Sequence, residues 1–194
     1  MQANGTSTLV TTETGKKILV DTLGPWDRQH LIDLLFERNL SPENIDLLVC
    51  THLHSDHIGN LNLFVNCPQI IGDQLSRKLD LFEFDIFRSN SSLSPNQSIT
   101  KGVECIELYP DVELWSTPGH TSNCCSLVIR NVENLGTVAI VGDLFESEND
   151  LINDNIWIEA GSFNQTIQRK NREHMLNIAD YIVPGHGEMF KVKR

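Results

Sequence analysis

Four apolar runs in this chain end in residues able to bind metal ions, and that pattern restricts the fold more than any other feature. "NIDLLVC" (44–50) leads into "THLHSDH" (51–57), "VELWSTPG" into His120, "TVAIVG" into Asp143 and "YIVPG" into His186. Five of the seven histidines lie at these junctions. Residues two apart on a strand share a face, so His52 and His54 are expected to project to the same side of the 44–52 strand. A helix opening at Ser55 then puts Asp56 and His57 in its first turn, where the chain doubles back over the strand end. Four coordinating groups meet at that corner, and as an ordinary surface turn they would crowd one another without partners. A glycine precedes each remote candidate (Gly119, Gly142, Gly185), and glycine lets backbone approach a crowded centre or adopt positive φ. His30 and His174 lie in helical segments without this context and read as helix-surface residues.

The rest of the chain supplies the layers such a rim needs. "KKILVDT" (16–22) and 44–52 read as buried strands, with an amphipathic helix, "DRQHLIDLLFERNL", between them. "HIGNLNLFVN" reads as a short helix and "PQIIGD" as another strand. Residues 88–100, rich in Ser and Asn, read as a solvated loop. "VECIELYPDVELWSTP", "SLVIRN" and "GTVAIVGD" form an antiparallel meander, and "TIQRKNREHMLNIADY" is a polar helix leading to the last strand. No repeat or linker divides the sequence. The expectation is one domain over 1–194, an α/β fold built as a four-layer α/β/β/α sandwich of two mixed sheets. "STLVTT" is left without an obvious partner, with room for a pairing strand upstream of Met1.

Composition narrows the functions. A chain of 194 residues with 40% hydrophobic content is large enough for a substantial core. A net charge of -11 opposes a broad nucleic-acid-binding surface, so any RNA contact is expected to be local. Five cysteines (Cys50, Cys67, Cys105, Cys124, Cys125) show no CxxC spacing and cannot all pair within the chain, which favours a reduced, cytoplasmic or nuclear location. Asn-x-Ser/Thr sequons at Asn4, Asn90, Asn96 and Asn164 keep a secretory location open. No stretch approaches the ~18 apolar residues of a membrane span, and the polar start lacks the apolar core of a signal peptide. A homodimer is compatible with all of this.

The ordered set "VDT", "THLHSDH", "TPGH", "GD", "PGHG", spread from about Ile18 to Val192, resembles the metallo-β-lactamase-fold hydrolases. The resemblance implies two divalent metal ions, one held by His52, His54 and His120 and the other by Asp56, His57 and His186, with Asp143 bridging. It also implies that Asp21, in "LVDT", orients metal ligands from behind. Aspartate at 143, where antibiotic-hydrolysing members usually have cysteine, places the chain with the glyoxalase II-like and RNase Z-like branch. Imidazole and carboxylate donors suit Zn, Fe or Mn, with zinc the first expectation. Water shared by two cations ionises near neutral pH, so hydroxide is the expected nucleophile and Asp56 and Asp143 the carboxylates that position it.

The substrate divides into alternatives. Local strings such as "THLHSDHIGNLNLF" and "VPGHGEMFKV" resemble a subgroup of that family associated with histone pre-mRNA 3′-end processing, which implies an endoribonuclease acting on RNA. Basic residues at Arg169, Lys170 and Arg172, and at Lys191, Lys193 and Arg194, could meet phosphates. The alternative is a glyoxalase II-like hydrolase of a small thioester or ester, with Trp26, Phe145 and Phe190 walling an apolar pocket. A third reading is a non-catalytic metal-binding module. His174 and Glu146 are the general-acid candidates, and both read as surface groups.

Overall fold

The computed structural model describes residues 4–77, 81–83, 86–87, 97–100 and 103–193. The first sheet contains β1 (Thr8–Thr11), β2 (Lys17–Val20), β3 (Leu47–Cys50), β4 (Gln69–Ile71), β5 (Gln74–Arg77) and β6 (Leu81–Glu83), hydrogen-bonded in that order. Helix α1 (Arg28–Phe36) joins β2 to β3, and α2 (Ser55–Ile58) follows β3. The second sheet contains β7 (Gln97–Thr100), β8 (Val103–Tyr109), β9 (Val112–Ser116), β10 (Cys125–Val132), β11 (Gly136–Gly142), β12 (Tyr181–Pro184) and β13 (Phe190–Lys191). Its order is β13-β12-β11-β10-β9-β8-β7, and α3 (Asn155–Glu159) and α4 (Gln165–Ile178) lie between β11 and β12. Strands β2, β3 and β4 are mutually parallel, as are β11 and β12, while the other pairs are antiparallel.

Period-2 alternation divides each central strand between two cores. In β2 and β3, Ile18, Val20, Leu47 and Val49 face the second sheet and meet Leu114, Leu127, Ile140 and Val183. Leu19, Leu48 and Cys50 point the other way, onto Leu31 and Leu35 of α1. Val128, Ala139, Val141 and Ile182 leave the back of the second sheet to pack on Met175 of α4. Both sheets are therefore covered on both faces, and the four expected layers are present. All five cysteines are buried. Among the described residues no helix is long and apolar enough to cross a membrane.

Several local expectations need correction. "STLVTT", left without an obvious partner, has one within the chain: β1 closes a hairpin with β2, Leu9 opposite Leu19. The 88–100 segment is not all loop, because its last four residues form β7 on β8; residues 88–96 fall outside the described set. The helix expected over 57–66 stops at Ile58 and resumes only as a 3₁₀ turn at Leu61–Leu63, since Gly59 N donates to Leu23 O (2.9 Å) and Asn60 N to Thr22 Oγ1 (3.1 Å) instead of to helix carbonyls. His174 is half-buried with its ring 5.1 Å from Trp115, not on the surface, whereas His30 is exposed as expected.

Candidate metal centre

The C-terminal ends of β2, β3, β9, β11 and β12 open on one rim, because these strands run the same way within their sheets. Asp21 is the first residue past β2 and adopts φ 59, a left-handed conformation that is costly for a residue with a side chain. The turn points its buried carboxylate at the end of β3. There it accepts from Thr51 N (2.7 Å) and Thr51 Oγ1 (2.9 Å) and meets His57 Nδ1 at 2.8 Å. These bonds end β3 at Cys50, so His52 and His54 come together through the bend that follows rather than through strand alternation. Their rings lie 4.6 Å apart, nearly perpendicular. Thr51 O accepts from Cys125 N (2.9 Å), and Gly185 O from Thr6 N (2.7 Å), stitching the sheets together along the rim.

Each of four imidazoles is held by Nδ1. His57 meets Asp21, His52 meets Thr51 Oγ1 at 3.0 Å, His120 meets Gly161 O at 2.7 Å and His186 meets Asn4 O at 3.1 Å. Carbonyl and carboxylate acceptors assign the proton to Nδ1 and leave Nε2 as a lone pair. The four Nε2 atoms converge on Asp143, at 3.5 Å for His52, 3.1 Å for His57, 3.3 Å for His120 and 3.4 Å for His186. His54 instead presents Nδ1, 2.9 Å from His120 Nε2. Donor atoms of His52, His54, His120 and Asp143 all lie within 4.8 Å of one another, and so do those of Asp56, His57 and His186. The approaches to Asp143 are at ion-pair distance without hydrogen-bond geometry, so His52 Nε2, His57 Nε2 and Asp143 Oδ1 are buried with no hydrogen-bond partner. An unsatisfied buried group costs about 1–3 kcal/mol, and divalent cations would satisfy all three. The donors fit a two-cation centre.

Electrostatics differ from ring to ring, and without a cation His57 and His186 retain a second proton at neutral pH. Burial opposes a charge on His57, but the Asp143 and Asp21 carboxylates beside it outweigh burial and hold its pKa up at about 11. Asp143 likewise raises His186 to about 9, against burial. Burial lowers His120 to about 4 and also lowers His54, which favours the neutral imidazole that coordinates metals. Asp143 itself stays well below the usual carboxylate range: burial opposes this, and the surrounding histidines prevail.

Glu146 belongs to this site and not to the surface. Its side chain is 13% exposed, Oε2 lies 3.8 Å from His186 Nε2, and Oε1 is buried with no hydrogen-bond partner. Burial and the neighbouring Asp143 carboxylate push its pKa up to about 8. The cause of this placement is the chain on either side. Leu144 and Phe145 plug into the core behind the second sheet, while Glu146 N donates to Asp150 Oδ2 (2.7 Å) and His186 N donates to Glu146 O (2.9 Å). Asp150 is in turn paired with Arg172 at 3.1 Å, with both side chains buried.

Helix α4 holds the back of the site with polar side chains. Gln168, Asn171, Arg172 and Met175 form its buried stripe, spaced i, i+3, i+4, i+7. Gln168 Nε2 donates to Asp143 O (3.1 Å), Asn171 Nδ2 to Pro118 O (2.6 Å) and Arg172 Nη1 to Leu144 O (2.7 Å). Sequence reading missed Gln168 and Asn171 and gave Arg172 another role, and the helical spacing of three hydrogen-bonding side chains ending in Met175 is the signal that could have found them. Glycine is required where expected: a Cβ at Gly185 would collide with the Asp143 carboxylate, and Gly142 takes φ 53 against Thr51.

The expected substrate contacts are not where the sequence suggested. Trp26 is 91% exposed and does not line the cavity. Phe145 and Phe190 are buried against each other, with ring centroids 6.1 Å apart, as core residues. Lys191 is exposed on β13, its Nζ 5.9 Å from the centre of the Tyr181 ring. Arg172 is buried, Arg169 pairs with Asp154 and Lys193 with Glu148, and Arg194 lies outside the described residues. The cavity over the centre has a volume of about 730 Å³. Beyond the donor residues it is lined by Glu146, Ser147, Asn149, Ile156, Glu159 and Ala160.

A family model described as the Metallo-beta-lactamase superfamily matches residues 2–71. Over 191 residues the chain is 35% identical to metallo-beta-lactamase domain-containing protein 1 of Xenopus laevis, covering 98% of this chain and 74% of that protein. Its identity to the Homo sapiens protein of the same name is 36% over 177 residues, covering 91% of this chain and 60% of the relative. The chain thus spans about three fifths to three quarters of these relatives' length. In fold it is similar to a dizinc quorum-quenching lactonase solved with the product N-hexanoyl-L-homoserine (TM-score 0.63, 21% identity, 93% of this chain and 71% of that one).

Proposed function

The chain belongs to the metallo-beta-lactamase superfamily of metal-dependent hydrolases, and from that premise we propose that it is a dinuclear hydrolase of small carboxylic esters, lactones or thioesters. His52, His54 and His120 would hold one divalent cation, Asp56, His57 and His186 the other, and Asp143 both. The supporting observation is the convergence of lone pairs: four imidazoles tethered through Nδ1 turn Nε2 onto one buried carboxylate whose own oxygen has no hydrogen-bond partner. Two such cations supply hydroxide at neutral pH and a positive field for the oxygen that gains charge. The chain's own residues keep the rings in place. Asp21 fixes His57 directly and His52 through Thr51, and α4 holds the backbone of Asp143 from behind. The volume of the cavity suits a small substrate.

The ester reading is favoured by charge. No lysine or arginine lines the cavity among the described residues, while the Glu159 carboxylate does, and a polyanionic chain would meet it. Cleavage of a phosphodiester in histone pre-mRNA is the second reading. It is favoured by the 35% identity to metallo-beta-lactamase domain-containing protein 1 across nearly the whole chain, and the same hydroxide would serve it. The test incubates metal-loaded protein and its His54→Ala form with an acyl thioester, a lactone and single-stranded RNA. Ester or lactone cleavage by the wild type, lost in His54→Ala and with RNA left intact, is expected. RNA cleavage with the esters untouched reverses the ranking, and two bound ions with no turnover on any substrate overturn the hydrolase reading in favour of a binding module.

A further inference from the structure

The seven donors named above leave one group at the centre unused. Glu146 Oε1 is buried without a hydrogen-bond partner, and ligand atoms of Asp143, Glu146 and His186 lie within 4.8 Å of one another. Two ligands of one ion at about 2.0–2.2 Å can be no more than about 4.4 Å apart. The 3.8 Å from Glu146 Oε2 to His186 Nε2 falls inside that limit and matches the 3.6 Å and 3.9 Å that separate Asp56 Oδ2 from His186 Nε2 and His57 Nε2. The backbone is fixed for the role, with Glu146 N on Asp150, Glu146 O on His186 N and Asp150 clamped by Arg172. A glutamate with merely a surface role has no need of this anchoring.

We propose that Glu146 is an eighth donor, binding the cation held by Asp56, His57 and His186, and that it makes the two metal positions chemically unequal. This rests on the dinuclear reading above. The first position is served by three imidazoles and Asp143. The second is served by two imidazoles and three carboxylates, Asp56, Asp143 and Glu146. Imidazole suits zinc, whereas added carboxylate shifts a site toward harder cations such as Mn²⁺. The inference is an unequal centre, in which the carboxylate-rich position discriminates less strongly against Mn²⁺ than the imidazole-rich one.

The test strips the full chain with a chelator, reloads it with equimolar Zn²⁺ and Mn²⁺, and measures bound metal by mass spectrometry and Mn²⁺ by electron paramagnetic resonance. Wild type is expected to bind two ions per chain, with a higher bound Mn:Zn ratio than the Glu146 variants. In Glu146→Gln, affinity for one ion should fall by about tenfold or more and the bound Mn:Zn ratio should drop, while the other ion binds as before. Glu146→Ala, with circular dichroism of both metal-stripped variants, separates this from misfolding. His186→Ala supplies the reference for losing that position. If both Glu146 variants bind two ions with wild-type affinity and Mn:Zn ratio while His186→Ala loses one, the eighth donor is refuted and the dinuclear reading stands. If wild type takes up no ion, both fall.

Discussion

Asp150→Asn is the most direct test of how the site is braced from behind. The substitution keeps the shape and removes the charge facing Arg172, whose side chain is 7% exposed against 0% for Asp150. Breaking a buried ion pair by neutralising one partner costs about 3–5 kcal/mol, because the other charge remains buried. Arg172 would keep Leu144 O at 2.7 Å, Asp150 O at 3.3 Å and the Phe145 ring at 3.9 Å, so the low end applies, about 3 kcal/mol. For a chain of this size each kcal/mol moves the melting temperature by about 2–4 °C, giving a drop of about 6–12 °C. The assay is calorimetric melting of metal-stripped protein at fixed pH, with Arg172→Met and the double variant alongside. The double variant should be less destabilised than the sum of the singles, since it leaves no unpaired charge. A drop under about 3 °C for Asp150→Asn, or strict additivity, would refute the view that this pair is a strong internal clamp.

Chelation should destabilise the loaded protein, because ions at a thousand times their dissociation constant add about 4 kcal/mol; an unchanged melting temperature after dialysis against a chelator would argue that no ion had been bound. Asp21→Asn should weaken metal binding about 10–100-fold while leaving far-ultraviolet dichroism intact, with isothermal titration as the readout. The metal-stripped protein should lose stability between pH 7 and 9. His186 and Glu146, held up at about 9 and about 8, keep protons that the unfolded chain has already released over that interval, so the folding equilibrium shifts toward the unfolded state as pH rises. Urea denaturation at the two pH values measures this, and stability that rises with pH contradicts it.

The layers and the strand-end positions of the candidate donors were legible in the sequence through local rules, alternation in "KILV" and "LLVC" and a glycine before His120, Asp143 and His186, while their grouping around two ions came from the family resemblance. What was not legible depends on tertiary context. Glu146 follows an aspartate on an apparently polar loop, and only the burial of Leu144 and Phe145 turns it inward. Arg172 looked like a phosphate contact because it clusters with Arg169 and Lys170 on a polar helix. Its face is instead committed to carbonyls and to Asp150, partners distant in sequence. Thr51 carries no motif of its own, yet its hydroxyl stands between Asp21 and His52.

The stitching along the rim has a mechanical meaning. His52, His54 and His57 come from the first sheet and His120, Asp143 and His186 from the second, on either side of a seam that two backbone bonds already close at Thr51 and Gly185. A pair of ions gripped from both sides would act there as a reversible rivet, resisting separation of the halves much as a cross-link does. Cohesion and chemistry then draw on the same atoms, so substitutions that loosen one are expected to loosen the other.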